Sequence, residues 1–248
     1  MRIMLPLTVA LLVAGAPTAS AQSGLNLFWD HCGADGGTTT MLFDCSTNAG
    51  AEVLIASVVI PADMPQFGAT TAVFRVHVAD SPSPPWWQVA AGQCRANAMW
   101  ASFDPTLFPA SENCPSIWDD TVPLQVQAVQ VGLGSWESFR VYSVAALPAG
   151  SEIPLLADGT ERVVCRLLVQ HANTVGTAAC EGCRTGACIL LDEMHLQQPA
   201  GMASYRLASP NWNSFVGYNA DAQYGAPAIY CTTPALYRTW GAIKTLYR

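Results

Sequence analysis

A leader of the export type stands ahead of nine cysteines, and no other feature narrows the possible fold as far. Met1-Arg2 is followed by an apolar run from Ile3 to Gly15, then by Ala16-Pro17-Thr18-Ala19-Ser20-Ala21-Gln22. A positive start, an apolar stretch and a small-x-small site mark a cleaved secretory signal. Cleavage is expected after Ala21, giving a signal peptide over 1–21 and a single secreted domain over 22–248, with a possible seam near 115–123. The apolar run is shorter than the ~20 residues that span a bilayer, and no later stretch approaches that length. The mature chain is therefore expected to have no transmembrane segment and to be periplasmic, extracellular or attached at the cell surface.

Export sets the reading of the cysteines, because oxidising compartments favour disulfides. Cys32 and Cys45 flank a turn containing Gly33, Gly36 and Gly37, and are expected to staple a hairpin. Cys94 and Cys114 bracket a loop-like stretch with Pro105, Pro109 and Asn113, and form a second natural pair. Cys165 lies in Arg162-Val163-Val164-Cys165-Arg166-Leu167-Leu168-Val169, where alternation puts it on one face with Val163, Leu167 and Val169. It is expected to be a buried free thiol acting as a small hydrophobe. Cys180, Cys183, Cys188 and Cys231 remain as a group of four. Two disulfides are the first expectation there; a tetrahedral zinc held by four thiolates, or by His171 in place of one, is the alternative.

Strand periodicity dominates the rest. Residues 72–78 alternate, with Phe74, Val76 and Val78 opposite Arg75 and His77, and Leu124, Val126 and Ala128 oppose Gln125 and Gln127. Further strands are predicted at Leu25–Trp29, Met41–Phe43, Val53–Ile60, Phe139–Ala145, Val163–His171 and Ile189–Gln197. Turn clusters such as Asp80-Ser81-Pro82-Ser83-Pro84-Pro85 separate them. Short strands without intervening helical patterns predict an all-β chain, a β-sandwich or jelly-roll-like fold with disulfide staples. A short C-terminal helix is expected after Pro234, where Leu236, Trp240, Ile243 and Leu246 recur at helical spacing beside Arg238, Lys244 and Arg248.

Charge is sparse: 12% of residues are charged, the net charge is -7, and Lys244 is the one lysine. That excludes disorder and argues against nucleic acid, which needs clustered cations. For a glycan, flat aromatic faces are the usual platform. Trp86 and Trp87 are the candidates, one expected to point inward and the other outward, with Asp119 and Asp120 as acceptors for sugar hydroxyls. No motif supplies catalysis: Gly132-Leu133-Gly134-Ser135-Trp136-Glu137 fits no nucleophile elbow, and none of His31, His77, His171 and His195 sits in a motif. A secreted hydrolase acting on polysaccharide would have to draw its acids from Asp119, Asp120, Asp192 and Glu193. Alternation turns Asp192 away from Glu193 and His195, onto the face of Leu190, Met194 and Leu196, where Arg166 is a possible mate. No catalytic residue, metal or cofactor is assigned.

The chain resembles a group of uncharacterised secreted proteins from environmental bacteria. The likeness runs through Leu25-Asn26-Leu27-Phe28-Trp29, Phe43-Asp44-Cys45-Ser46-Thr47-Asn48, Trp86-Trp87-Gln88, Cys180-x-x-Cys183-x4-Cys188-Ile189, Gln198-Pro199-Ala200-Gly201 and Thr239-Trp240-Gly241-Ala242-Ile243-Lys244. In that group a larger aromatic residue is usual at the position of Cys165, which implies an unpaired thiol here. The resemblance implies no activity. The expected function is a non-catalytic secreted or cell-surface protein that binds a glycan or cell-surface component, or assembles as a homo-oligomer.

Overall fold

The structure is a computed structural model that describes residues 24–80, 82–108, 111–132, 138–208 and 215–218. The signal peptide, Cys231 and the C-terminal helix expected from sequence lie outside the described residues. Thirteen strands follow in order: β1 Gly24–Trp29, β2 Thr40–Met41, β3 Ala51–Val59, β4 Met64–Phe67, β5 Ala69–Val78, β6 Met99–Ser102, β7 Val126–Gly132, β8 Ser138–Ala146, β9 Ile153–Leu155, β10 Glu161–Gln170, β11 Ala187–Gln197, β12 Tyr205–Ala208 and β13 Phe215–Tyr218. The smaller sheet runs β1-β3-β10-β6 and is antiparallel throughout. The larger runs β2-β13-β11-β5-β8-β7, with β12 also paired to β11, while β4 and β9 form a separate two-stranded clip.

The protein is an all-β sandwich. Alternation sends Ala72, Phe74, Val76 and Val78 of β5 inward, and they meet Leu25, Leu27 and Trp29 of β1 and Leu54, Ala56 and Val58 of β3 in one continuous core. The smaller sheet is covered on its outer side as well. There Ile55 and Val163 pack with Cys32 and Cys114 in a second, smaller cluster. The strands that periodicity did not reveal are short: β4, β6, β9, β12 and β13 have four residues or fewer, too few for alternation to show.

One strand in each of the two main sheets carries an extra residue. In β10, Val163 pairs with Ser57 and Cys165 with Ala56, so Val164 is inserted. A bulge of this kind resets which side chains face inward. Val163 therefore lies on the outer side, whereas Val164, Cys165, Leu167 and Val169 enter the main core. This corrects the expectation that Val163 and Cys165 share a face. In β11, Leu191 pairs with Phe74 and Glu193 with Val73, which inserts Asp192. The stretch proposed as a seam is stitched into the smaller sheet: Ile117 N donates to Val163 O at 2.8 Å, Val163 N donates to Pro115 O at 2.9 Å, and Trp118 Nε1 donates to Val164 O at 2.7 Å.

The disulfides are not local. Cys32 bonds Cys114, Cys45 bonds Cys183, and Cys94 bonds Cys180, across separations of 82, 138 and 86 residues. The sequence-based pairs Cys32–Cys45 and Cys94–Cys114 are thus corrected. Sequence proximity selected those pairs, whereas the sandwich brings loops from distant strands to one place. Cys188 is disulfide-bonded as well, and Cys165 is free and fully buried. Burial pushes the Cys165 thiol far above its ordinary range, so it stays protonated and inert.

In the chain-entropy account, loops of this length make each bridge worth about 4–5 kcal/mol, and measured losses run about 2–5 kcal/mol. Replacing Cys45 and Cys183 together by serine is expected to lower urea stability by that measured amount. Replacing Cys165 by serine, which buries a hydroxyl, should lower it by about 1–3 kcal/mol. In native protein Cys165 should resist alkylation and react only after denaturation.

Candidate functional site

The extra residue in β11 gathers a cluster of charged side chains on one sheet face. Because Asp192 is inserted, Asp192, Glu193 and His195 all present on the outer face of the larger sheet, while Met194 and Leu196 stay in the core. Arg75 of β5 and Arg140 of β8 are direct cross-strand partners beneath them. Arg75 Nη2 donates to Asp192 Oδ2 at 2.5 Å, and Arg140 Nη2 stands 3.8 Å from the same oxygen. Glu193 accepts from Arg206 of β12 and shares a hydrogen bond with His195 Nε2. Tyr142, opposite Gln130 of β7, has its hydroxyl 3.5 Å from Arg140 Nη1. Three of the seven arginines among the described residues therefore meet two carboxylates, a histidine and a tyrosine on one face.

Arg166, offered above as a possible mate of Asp192, is not its partner. Arg166 donates to Leu107 O at 2.9 Å on the other sheet, and Asp192 is not in the core but only partly covered. The Arg206 guanidinium, then burial in the opposite sense, then His195, together hold the Glu193 carboxyl below its ordinary value of 4.5. The Tyr142 hydroxyl, ahead of the nearby acids, raises Arg140 further. A carboxylate stabilised as an anion by guanidinium is suited to positioning a cation or a hydrogen-bond donor. It is poorly suited to giving up a proton near neutral pH.

Trp86 and Trp87 do not form a platform. Both are buried, at 0% and 1% exposure, so neither offers a face for a sugar, and the expectation that one points outward is corrected. They are the second and third residues of a 3₁₀ turn at Pro85–Trp87, which replaces the strand alternation assumed from sequence. Trp86 stacks edge-on against Phe43 and Trp87, and Tyr218 packs on all three. The Arg95 guanidinium lies 3.5 Å over the Trp86 ring and is itself 1% exposed. Its three nitrogens donate to Ala172 O, Trp86 O and Gln170 O, so main-chain carbonyls surround it. Desolvation lowers its pKa to about 10, which leaves it charged at neutral pH.

Beside this cluster the loop 179–186 encloses a half-open cleft of about 430 Å³ with Cys45, Asp80, Thr174 and Arg184 in its wall. The Cys45–Cys183 and Cys94–Cys180 bridges pin it. Because Cys180 and Cys183 bond to cysteines outside the group of four, a zinc held by Cys180, Cys183, Cys188 and Cys231 is corrected. His171 does not join it: His171 Nε2 lies 3.2 Å from Glu52 Oε1, with the ring against Phe43. Asp119 and Asp120 sit in the turn that follows Trp118. Asp119 accepts from Thr121 N at 2.8 Å and from Thr121 Oγ1 at 2.6 Å, which lowers its pKa. Its carboxylate caps its own loop.

Sequence reasoning pointed to Asp192, Glu193 and His195, but separated them, and it missed Arg75, Arg140, Arg206, Tyr142 and Arg95 as parts of clusters. The one available signal was the polar outer face of β5. No family model and no curated protein matches the chain. Among solved structures, a type III cohesin module from the cellulosomal ScaE cell-surface anchoring scaffoldin of Ruminococcus flavefaciens is similar over 85% of this chain and 82% of that one, at 14% identity and a TM-score of 0.23, a likeness too remote to bear on function.

Two outcomes follow. Replacing Arg95 by alanine leaves buried carbonyls without their donor, at about 1–3 kcal/mol each, and should lower urea stability by at least about 3 kcal/mol. For Glu193 the folded pKa is depressed, so its contribution is complete above 4.5 and lost as pH falls through the lower folded value. Amide protection factors of residues 205–208, taken relative to the intrinsic exchange rate at each pH, should fall over that acid range, and Glu193→Gln should show the lower protection already at pH 7.

Proposed function

We propose that the protein is a non-catalytic secreted or cell-surface β-sandwich that holds an acidic polysaccharide on the open face of its larger sheet. The observation that carries this reading is the surplus of guanidinium there. Three arginines face two carboxylates, on a chain whose net charge is -7. Arg140 and Arg206 are 45% and 66% exposed. A guanidinium carries five N–H donors, and these contacts engage only one or two of each. The remaining donors suit planar, bidentate recognition of a carboxylate or sulfate. Tyr142, 38% exposed beside Arg140, adds a ring against which a sugar can lie.

Asp192 and Glu193 are tied to arginines on a sheet face instead of facing each other across a cleft, which supports binding over acid catalysis. The disulfides fit an oxidising compartment, and among the described residues no helix is long and apolar enough to cross a membrane.

Calorimetry with polygalacturonate and its fully methyl-esterified, neutral form tests the proposal. Binding is expected to the acidic polymer only and to weaken with salt. Each charged hydrogen bond is worth about 1.5–3 kcal/mol. Arg140→Gln with Arg206→Gln should therefore weaken binding at least about tenfold, with near-UV dichroism unchanged. Equal affinity for the neutral polymer, or no loss in the double variant, would contradict the reading.

A further inference from the structure

The larger sheet runs from β2 to β7, and its two ends differ. β2 has two residues, whereas β7 has seven and, among the described residues, pairs with β8 on one side only, in unbroken register. A terminal strand leaves alternate N–H and C=O groups without a sheet partner, a ready template for another strand. Proteins blunt such edges by keeping them short, by charge, by proline, by a bulge or by covering them.

The other edges among the described residues carry those devices. β2, β4, β6, β9 and β12 have four residues or fewer, and β12 also bears the exposed Arg206. β1 is longer, but Leu25 through Trp29 are all buried. β7 carries none of them: residues 124–132 hold no charged residue and no proline. Its register sets Ala128 opposite Val144 and Gln130 opposite Tyr142, on the outer face of the sheet, where Ala128 and Gln130 are both exposed.

We infer that β7 pairs antiparallel with β7 of a second copy, joining two larger sheets into one. The occupant is a second copy because strand pairing needs another exposed, uncharged edge of similar length, and β7 is itself that edge. A net charge of -7 sets whole copies against each other, so an uncharged strip is where two can approach. A two-fold axis normal to the sheet makes the contact self-complementary and closed, so assembly stops at a dimer. When all seven residues pair, the axis falls near the middle of β7, flanked by Ala128 and Gln130. Both outer faces then point the same way, and the arginine clusters of two copies share one surface. Use of that shared surface by one ligand rests on the binding reading above; the pairing itself needs no ligand.

Sedimentation equilibrium of the full exported chain, without polysaccharide, tests the pairing. A monomer–dimer equilibrium is expected. Ala128→Lys and Ala128→Glu each set like charges together beside the axis, and each should weaken the dimer at least about tenfold while near-UV dichroism stays as in wild type. Mixing the two variants places opposite charges there and should restore the dimer. In the wild type, amides of 126–132 should gain protection from exchange as the dimer forms, with those of β6 and β12 unchanged, a readout that needs no variant. A monomer at every concentration would overturn the inference. So would a dimer indifferent to both variants, a mixture that stays monomeric, or protection gained at β6 or β12 in place of β7.

Discussion

Two inserted residues, Val164 in β10 and Asp192 in β11, decide which side chains each sheet buries and which it presents. Side-chain direction in a strand has a period of two, so a single extra residue exchanges the faces for everything beyond it. In β10 the exchange lets Glu161 and Val163 face the outer cluster while Cys165, Leu167 and Val169 still fill the core. In β11 it lets Ile189 and Leu191, then Met194 and Leu196, stay inside, while Asp192, Glu193 and His195 stand together outside. The charged cluster on the larger sheet lies at an inserted residue, which agrees with the tendency of bulges to re-aim side chains at functional places.

The disulfides act on a different level. The long connections after β1, β2, β5, β6 and β10 have little periodic structure of their own. The three mapped bridges cross-link those connections over 82–138 residues. They hold the Pro85–Trp87 turn and the loop 179–186 against Arg95 and its carbonyl cage. The result is a sandwich with one rigid, aromatic-packed end and one open charged sheet face.

Much of the fold was legible in the sequence, since long alternating runs such as 72–78 and 139–145 can bury one face only as strands. The four-residue strands were not, because alternation needs length. The site was half legible. Asp192, Glu193 and His195 stood out as neighbours, but strict alternation split them, and an inserted residue leaves no mark in composition. Trp86 and Trp87 misled for a related reason: a 3₁₀ turn after Pro84-Pro85 turned both inward. The cysteine pairs failed because proximity along the chain says little about which loops a sandwich brings together.

The central claim is that the outer face built around Asp192 is where an acidic ligand is held. Nitrogen-15 spectra of the arginine Nε–H groups, recorded through a titration with oligogalacturonate, observe it directly. The account predicts shifts at Arg140 and Arg206 and a smaller one at Arg75, with the buried Arg95 and the opposite-sheet Arg162 and Arg166 unmoved. Shifts confined to Arg184 in the cysteine-loop cleft, or none at all at saturating ligand, would contradict it.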